Sequence, residues 1–170
     1  MKRQQKKFEK PLRPRDRTRM ETDRKLKMDY GLRRKKEIFR AESILRNIRR
    51  QARELEANRN KEKEAILMNK LNKLGLLPPN ANLDDVLSLE IENILQRRLQ
   101  TLVVKRGIAK TPRQARQFIV HGHIALEGRR IRWPSVLIEV EKESKIKLYE
   151  KSPIKFEEKV KSEGNAGETA

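Results

Sequence analysis

Apolar residues recur at Ile38, Ala41, Ile44/Leu45, Ile48, Ala52 and Leu55, spacings of three and four that put them on one stripe of a long helix whose other faces are charged. A second stripe runs through Ala65, Leu67/Met68, Leu71 and Leu74. It ends in Gly75 with Leu76, Leu77, Pro78 and Pro79 behind it, the order of a glycine cap, a hydrophobic contact and a proline stop. Two helices with facing stripes predict a helical hairpin. Asn82 predicts an N-cap with Asp84 and Asp85 complementing the helix dipole in the first turn, and the pattern Leu89, Ile91, Ile94/Leu95, Leu99, Leu102/Val103 predicts a helix that stops at Gly107. Thr111-Pro112-Arg113-Gln114 combines an N-cap hydroxyl, proline at the first helical position and a glutamine three residues after the cap. The helix it opens is expected to bury Ala115, Phe118 and Ile119 and to end at Gly122.

Beyond Gly122 the period changes from 3.6 to 2. Ile124, Ala125 and Leu126 predict a short strand, Glu127-Gly128 a tight turn with glycine at positive φ, and Arg130 to Arg132 the return strand, which Pro134 ends. Val136 to Val140 and Ile146 to Tyr149 predict two more strands joined by the charged loop Glu141 to Lys145. Upstream, Met1 to about Asp29 has few apolar residues and two prolines, Pro11 and Pro14, and cannot bury enough to order itself. The resulting expectation is an α+β chain. Residues 1–30 form a basic arm, extended when free and able to turn helical near residues 20–29 when bound. Residues 31–93 form a helical domain, residues 94–150 a module of two helices on a small, mostly antiparallel sheet, and residues 151–170 a polar tail ordered only by a partner.

Charge changes this picture from a fold into a candidate binder. Of 170 residues 39% are charged and only 4% aromatic, and the net charge is +19. Residues 1–50 carry 20 Lys/Arg against 7 Asp/Glu, residues 51–93 carry 6 against 8, residues 94–136 carry 10 against 1, and residues 137–170 carry 7 against 8. Two basic blocks alternate with two nearly neutral ones. Self-repulsion on this scale calls for a polyanion, nucleic acid or an anionic membrane. Membrane is the weaker candidate, because no apolar run approaches the roughly 18 residues of a spanning helix and the start of the chain lacks a signal-peptide core, which predicts an intracellular protein. The absence of cysteine excludes disulfides and thiolate zinc sites.

The second basic block holds the candidate chemistry. Arg97, Arg98, Lys105, Arg106, Lys110, Arg113, Arg116, Arg129, Arg130 and Arg132 face a lone acid, Glu127. Arg113, Arg116 and Gln117 lie on adjacent turns and are expected to form an exposed ridge of donors suited to a folded RNA backbone, since guanidinium forks match phosphate and amides reach 2′-hydroxyls. Arg116 in particular is expected to touch phosphate. His121-x-His123 has no carboxylate or thiolate to complete a metal shell, and a polar RNA contact or a capping bond is the expected role. Trp133 is read as a lid on a small core rather than as a stacking platform. No serine, lysine or histidine stands in a catalytic constellation, so no enzyme is expected.

The run Arg97-Arg98-Leu99-Gln100, then Gly107, then Thr111-Pro112-Arg113-Gln114-Ala115-Arg116-Gln117-Phe118-Ile119-Val120-His121-Gly122-His123-Ile124, then Gly128 and Pro134-Ser135, closely resembles the RNA-binding module of the small-subunit ribosomal protein four family. Gly31-Leu32-Arg33, Ala41-Glu42, Leu45-Arg46 and Leu74-Gly75-Leu76-Leu77 resemble the helical part of its archaeal and eukaryotic branch, so the likeness covers roughly residues 25–140. It implies a structural constituent of the cytoplasmic ribosome that binds 16S-type ribosomal RNA at a multi-helix junction of the 5′ domain early in assembly. It further implies a position beside small-subunit protein five near the messenger entry channel, with no cofactor, no membrane and no homo-oligomer. Carried over residue by residue, Arg97, Arg98, Arg113, Gln114, Arg116, Gln117, His121 and His123 form the RNA-facing set, to which the basic block adds Lys105, Arg106, Lys110, Arg129 and Arg130. Two features depart from the family. Glu127 stands where many members have Asn, and the cysteine-bound zinc of some bacterial relatives is replaced by the basic arm. Pseudouridine synthases share the module but need a catalytic domain for which this chain has no room. A ribosome-assembly factor of the small nucleolar particle is the nearer alternative, and the full Arg116-Gln117-x-Ile119-x-His121-Gly122-His123 run favours the ribosomal protein.

Overall fold

A computed structural model describes residue 6, residues 8–13 and residues 15–153 of the chain. The expectations for the polar tail beyond residue 153 and for the first five residues lie outside the described residues. Three long helices come first. Helix α1 (Arg17–Asp29) is capped by Asp16, whose carboxylate accepts from the Thr18 amide at 3.2 Å, and it turns at Gly31 into α2 (Lys35–Asn58). Asn60 caps α3 (Lys61–Lys73), which folds back on α2 to make the expected hairpin. The end of α3 is as the sequence predicts. Gly75 sits at φ 65°, its amide bonding to Asn72 O and that of Leu76 to Leu71 O.

Within the basic arm residues 17–29 are helical, and α1 has a partner in α2: Leu26 and Tyr30 pack on the first core, Arg19 Nη2 donates to both carboxylate oxygens of Glu42 at 2.6 and 2.7 Å, and the buried Asp23 faces Lys35 at 3.7 Å. Ahead of it, Phe8 tilts onto Phe39 and Glu9 pairs with Arg46. A segment poor in apolar residues is ordered here by ion pairs to a neighbouring helix.

The expected single helix across residues 83–105 is three. Asn82 and Asp85 form a reciprocal capping box at the start of α4 (Leu83–Ser88), which is followed by α5 (Ile91–Gln96) and α6 (Leu99–Lys105). No glycine or proline causes the breaks. At Arg97 and Arg98 the backbone turns aside to pair with another segment, the Leu99 amide donating to Val136 O at 2.8 Å and the Ile138 amide to Arg97 O at 3.0 Å. The Thr101 hydroxyl satisfies the freed Leu95 carbonyl at 2.8 Å, and Arg49 donates to Leu89 O at 2.5 Å across the first break. Tertiary bonds win over helix propensity.

Helix α7 (Pro112–His121) has the predicted cap, Thr111 Oγ1 accepting from the Gln114 amide at 3.3 Å, and ends at Gly122 in the left-handed region. The Gln114 side chain accepts instead from the Lys110 amide at 2.8 Å, one residue before the cap. Strands β1 (Ile124–Leu126) and β2 (Arg129–Arg130) form a hairpin with both turn residues, Glu127 and Gly128, at positive φ. The predicted strand over residues 136–140 reduces to one isolated bridge, Leu137 to Arg98, and the predicted loop contains a helical turn, α8 (Val140–Glu143). Strand β3 (Ile146–Leu148) pairs antiparallel with β1, giving the order β2, β1, β3. One core gathers Ile38, Leu71, Val86, Ile94 and Leu95; the other gathers Leu99, Leu102, Ile119, Ile124, Ile138 and Ile146.

Candidate nucleic-acid interface

The two cores meet along a polar seam. The buried Gln100 amide, at the start of α6, donates to Tyr30 O and Gly31 O at 3.1 Å and to Pro112 O at 2.8 Å, joining the α1–α2 turn to the start of α7. Gly31 makes that approach possible: a Cβ there would lie 2.7 Å from Pro112 Cβ. Beside it Glu37, in the first turn of α2, accepts from Arg116 of α7 at 3.2 and 3.0 Å and from Arg98 at 2.5 Å. Burial alone would push the Glu37 carboxyl up; the hydrogen bonds and charges of Arg116 and Arg98 outweigh it and hold the group below the ordinary carboxylate range. Burial lowers the Arg98 guanidinium and Glu37 opposes that shift, so Arg98 remains a cation.

An open groove of about 440 Å³ runs along this seam, lined by Arg33, Arg34, Lys36 and Arg40 of α2 and its approach, by Arg98 and Arg116, and by the Pro134-Ser135 turn. Six cations face one acid there, Glu37, whose charge is already shared between two arginines. Arg33, Arg34, Lys36 and Arg40 were absent from the sequence-derived site. The cluster Arg33-Arg34-Lys35-Lys36 ahead of a helix is the signal that could have found them.

The structure divides the predicted site residues. Arg98 is 5% exposed, and Arg116 leans toward α2 instead of standing on the exposed flank with Arg113. Arg97 is half-buried, bonded to Glu143 at 2.9 Å and Ile138 O at 3.1 Å. Arg106, although itself exposed, bonds Ser144 O and Ile146 O, both at 3.0 Å. These four arginines hold the module together, although Arg98 and Arg116 also line the groove. The exposed group is Arg113, Gln117 and His121 along one face of α7, Lys105 and Lys110 at the ends of the α6–α7 connection, and Arg129 and Arg130 on the hairpin. Arg130 lies over the Tyr149 ring at 4.3 Å, and Lys105 reaches Gln96 at 3.3 Å. His123 is half-buried, edge-on to Phe118, with Nδ1 3.0 Å from Ser152 Oγ; His121 stacks on it from the solvent side, ring centroids 6.2 Å apart. Gln114 is a capping residue. At the hairpin tip Glu127 pairs with Lys145 at 2.8 Å, and that hydrogen bond holds its carboxyl below the ordinary carboxylate range. Trp133 is no lid: it is 69% exposed. Among the described residues no group of three or more His, Asp or Glu could hold a metal ion, and no helix is long and apolar enough to cross a membrane.

The S4 domain family model matches residues 97–143. Along most of its length the chain is also similar to archaeal proteins named Small ribosomal subunit protein uS4. The one from Methanococcus aeolicus is 51% identical over 143 residues, covering 82% of this chain and 81% of that protein. Those from Methanosphaerula palustris and Nanoarchaeum equitans are 43% and 46% identical over 158 residues, covering 88% and 89% of this chain and 87% of each relative.

Proposed function

The chain belongs to the uS4 family of small ribosomal subunit proteins, a non-enzymatic structural family, and from that premise we propose that it binds small-subunit ribosomal RNA directly through the seam groove and the exposed face of α7. The observation that carries this reading is the groove, where six cations converge from two cores on a single acid. Phosphates entering it meet guanidinium forks whose backbones are fixed by helices, so little ordering is required on binding. Arg113, Gln117 and His121 extend the donor surface along α7, and Arg129 and Arg130 extend it onto the hairpin. Such a surface reads the shape of a folded backbone rather than base edges. A groove between two cores suits a junction where helices converge, in keeping with the 5′-domain junction that the family resemblance implies. In this reading the protein joins the subunit early in assembly and stays in the cytoplasmic ribosome, beside protein five.

The test is stoichiometry. Mature small subunits washed in high salt should hold one copy of the chain per particle. A chain found only on precursor particles would instead act as an assembly factor.

A further inference from the structure

Trp133 is the chain's single tryptophan; it is exposed, and it directly precedes Pro134 and Ser135, which line the groove. A lone exposed apolar side chain is ordinary on a protein surface. This one differs in how it is held and in what surrounds it. Its carbonyl accepts from the Val136 amide across a turn with Pro134 in the second position, and the turn is tied to the start of α6 by Leu99 N to Val136 O at 2.8 Å and Gln100 N to Pro134 O at 3.4 Å. The backbone beneath the indole is therefore tethered to α6. Along the chain on either side of it the charge is of one sign, although Glu37 lines the groove that the next two residues enter. Arg129, Arg130 and Arg132 precede it, and no acid occurs between Glu127 and Glu139. The side chains of Arg130 and Arg132 reach back over Gly122, at the end of α7, which joins the cations of that helix to the segment leading into the tryptophan.

A flat π-face on a hydrogen-bonded turn, preceded by three arginines and followed by the two residues that enter the cation-rich groove, fits a nucleobase that has left its helix. We propose that Trp133 is a stacking platform for one unpaired nucleotide of the bound RNA, giving a protein that otherwise reads backbone shape a preference for a bulge or junction over a continuous duplex. The proposal deepens the RNA-binding reading given above and rests on it. The cationic surroundings favour an RNA base over an apolar partner protein, whose contact would ask for further apolar residues around the indole.

Because there is one tryptophan, its fluorescence reports this position alone. The experiment titrates the full chain with an RNA duplex carrying one bulged nucleotide and with the same duplex fully paired, and repeats both with Trp133→Ala and Trp133→Phe, circular dichroism confirming the fold of each variant. Wild type should show quenching by the bulged duplex only and should bind it more tightly. Trp133→Ala should lose that preference, a weakening of roughly five- to a hundredfold for the loss of one base–aromatic stack, with paired-duplex affinity unchanged. Trp133→Phe should keep most of it. Equal binding of both duplexes by wild type and Trp133→Ala, without quenching, overturns the stacking role while leaving RNA binding intact, and assigns the indole to a protein neighbour or to solvent. Failure of the wild type to bind either duplex overturns the stacking role together with the reading beneath it.

Discussion

Arg116 grips Glu37 with both terminal nitrogens, at 3.2 and 3.0 Å, although 79 residues separate them in the chain. The same carboxylate takes a third bond from Arg98 at 2.5 Å. One acid thus holds together two arginines of the module and ties both to the first turn of α2, which fixes the width of the groove between the two cores. An arginine that sequence position assigns to phosphate binding is, in the free protein, part of the frame on which the phosphate surface is built.

Removing the acid should therefore act on the fold first. Glu37→Ala leaves the buried Arg98 without its counter-charge and should cost about 3–5 kcal/mol in denaturant unfolding. The effect should depend on pH. Glu37 binds its proton less readily folded than unfolded, so its contribution is full above the ordinary carboxylate range and is lost as pH falls from that range through the lower folded value. The stability gap between wild type and Glu37→Gln should narrow over that window. A gap that stays constant with pH would contradict the ion-pair account.

Arg116 and Arg113, three residues apart on α7, should fail in different assays. Arg116→Ala loses two charge-assisted bonds and should lower unfolding free energy by about 1.5–3 kcal/mol, with Arg116→Lys restoring part. Arg113→Ala, on the exposed face, should alter stability by only a few tenths of a kcal/mol, ~0.2–0.4, yet weaken RNA binding by about 1.5–3 kcal/mol. Melts and filter-binding titrations at one salt concentration separate the two; an Arg113→Ala protein that melts early would reverse the assignment.

Gly31 and Gly128 both occupy the left-handed region, at φ 58° and 79°, but only Gly31 is crowded, by Pro112. Gly128→Ala should cost about 1–2 kcal/mol for backbone alone. Gly31→Ala adds an overpacked contact and should cost about 2–5 kcal/mol, loosening the seam between the cores. Equal losses, read from urea midpoints, would show that the close approach to Pro112 carries no weight.

What could be read from the sequence was local. The caps at Gly75, Thr111 and Gly122, the hairpin turn at Glu127-Gly128 and the basic block around α7 depend on neighbours within a few residues, and the structure has them. Features set by distant partners could not be read that way. The helix breaks at Arg97-Arg98 because residues 136–138 claim its backbone, Arg116 turns inward because α2 supplies Glu37, and α1 orders because Glu42 and Lys35 lie opposite its charges. Trp133 stays outside the core for the same reason: the second core closes over Ile138 and Ile146 without it. Half of the groove came from a helix whose charged face reads as ordinary solvated surface until the fold sets it against α7.

The account's central claim is that converging charge on this surface neutralises RNA phosphates, and the slope of log affinity against log salt measures it most directly. If about six to ten phosphates are contacted, a duplex-like site gives a slope of about −0.9 per phosphate, and affinity should fall on the order of a thousandfold or more between roughly 50 and 200 mM salt. Replacing Arg34 and Arg40 together by alanine should make the slope shallower by about 2 if both cations reach phosphate. A wild-type slope near zero, or a double variant whose slope is unchanged, would mean that the groove does not bind phosphate.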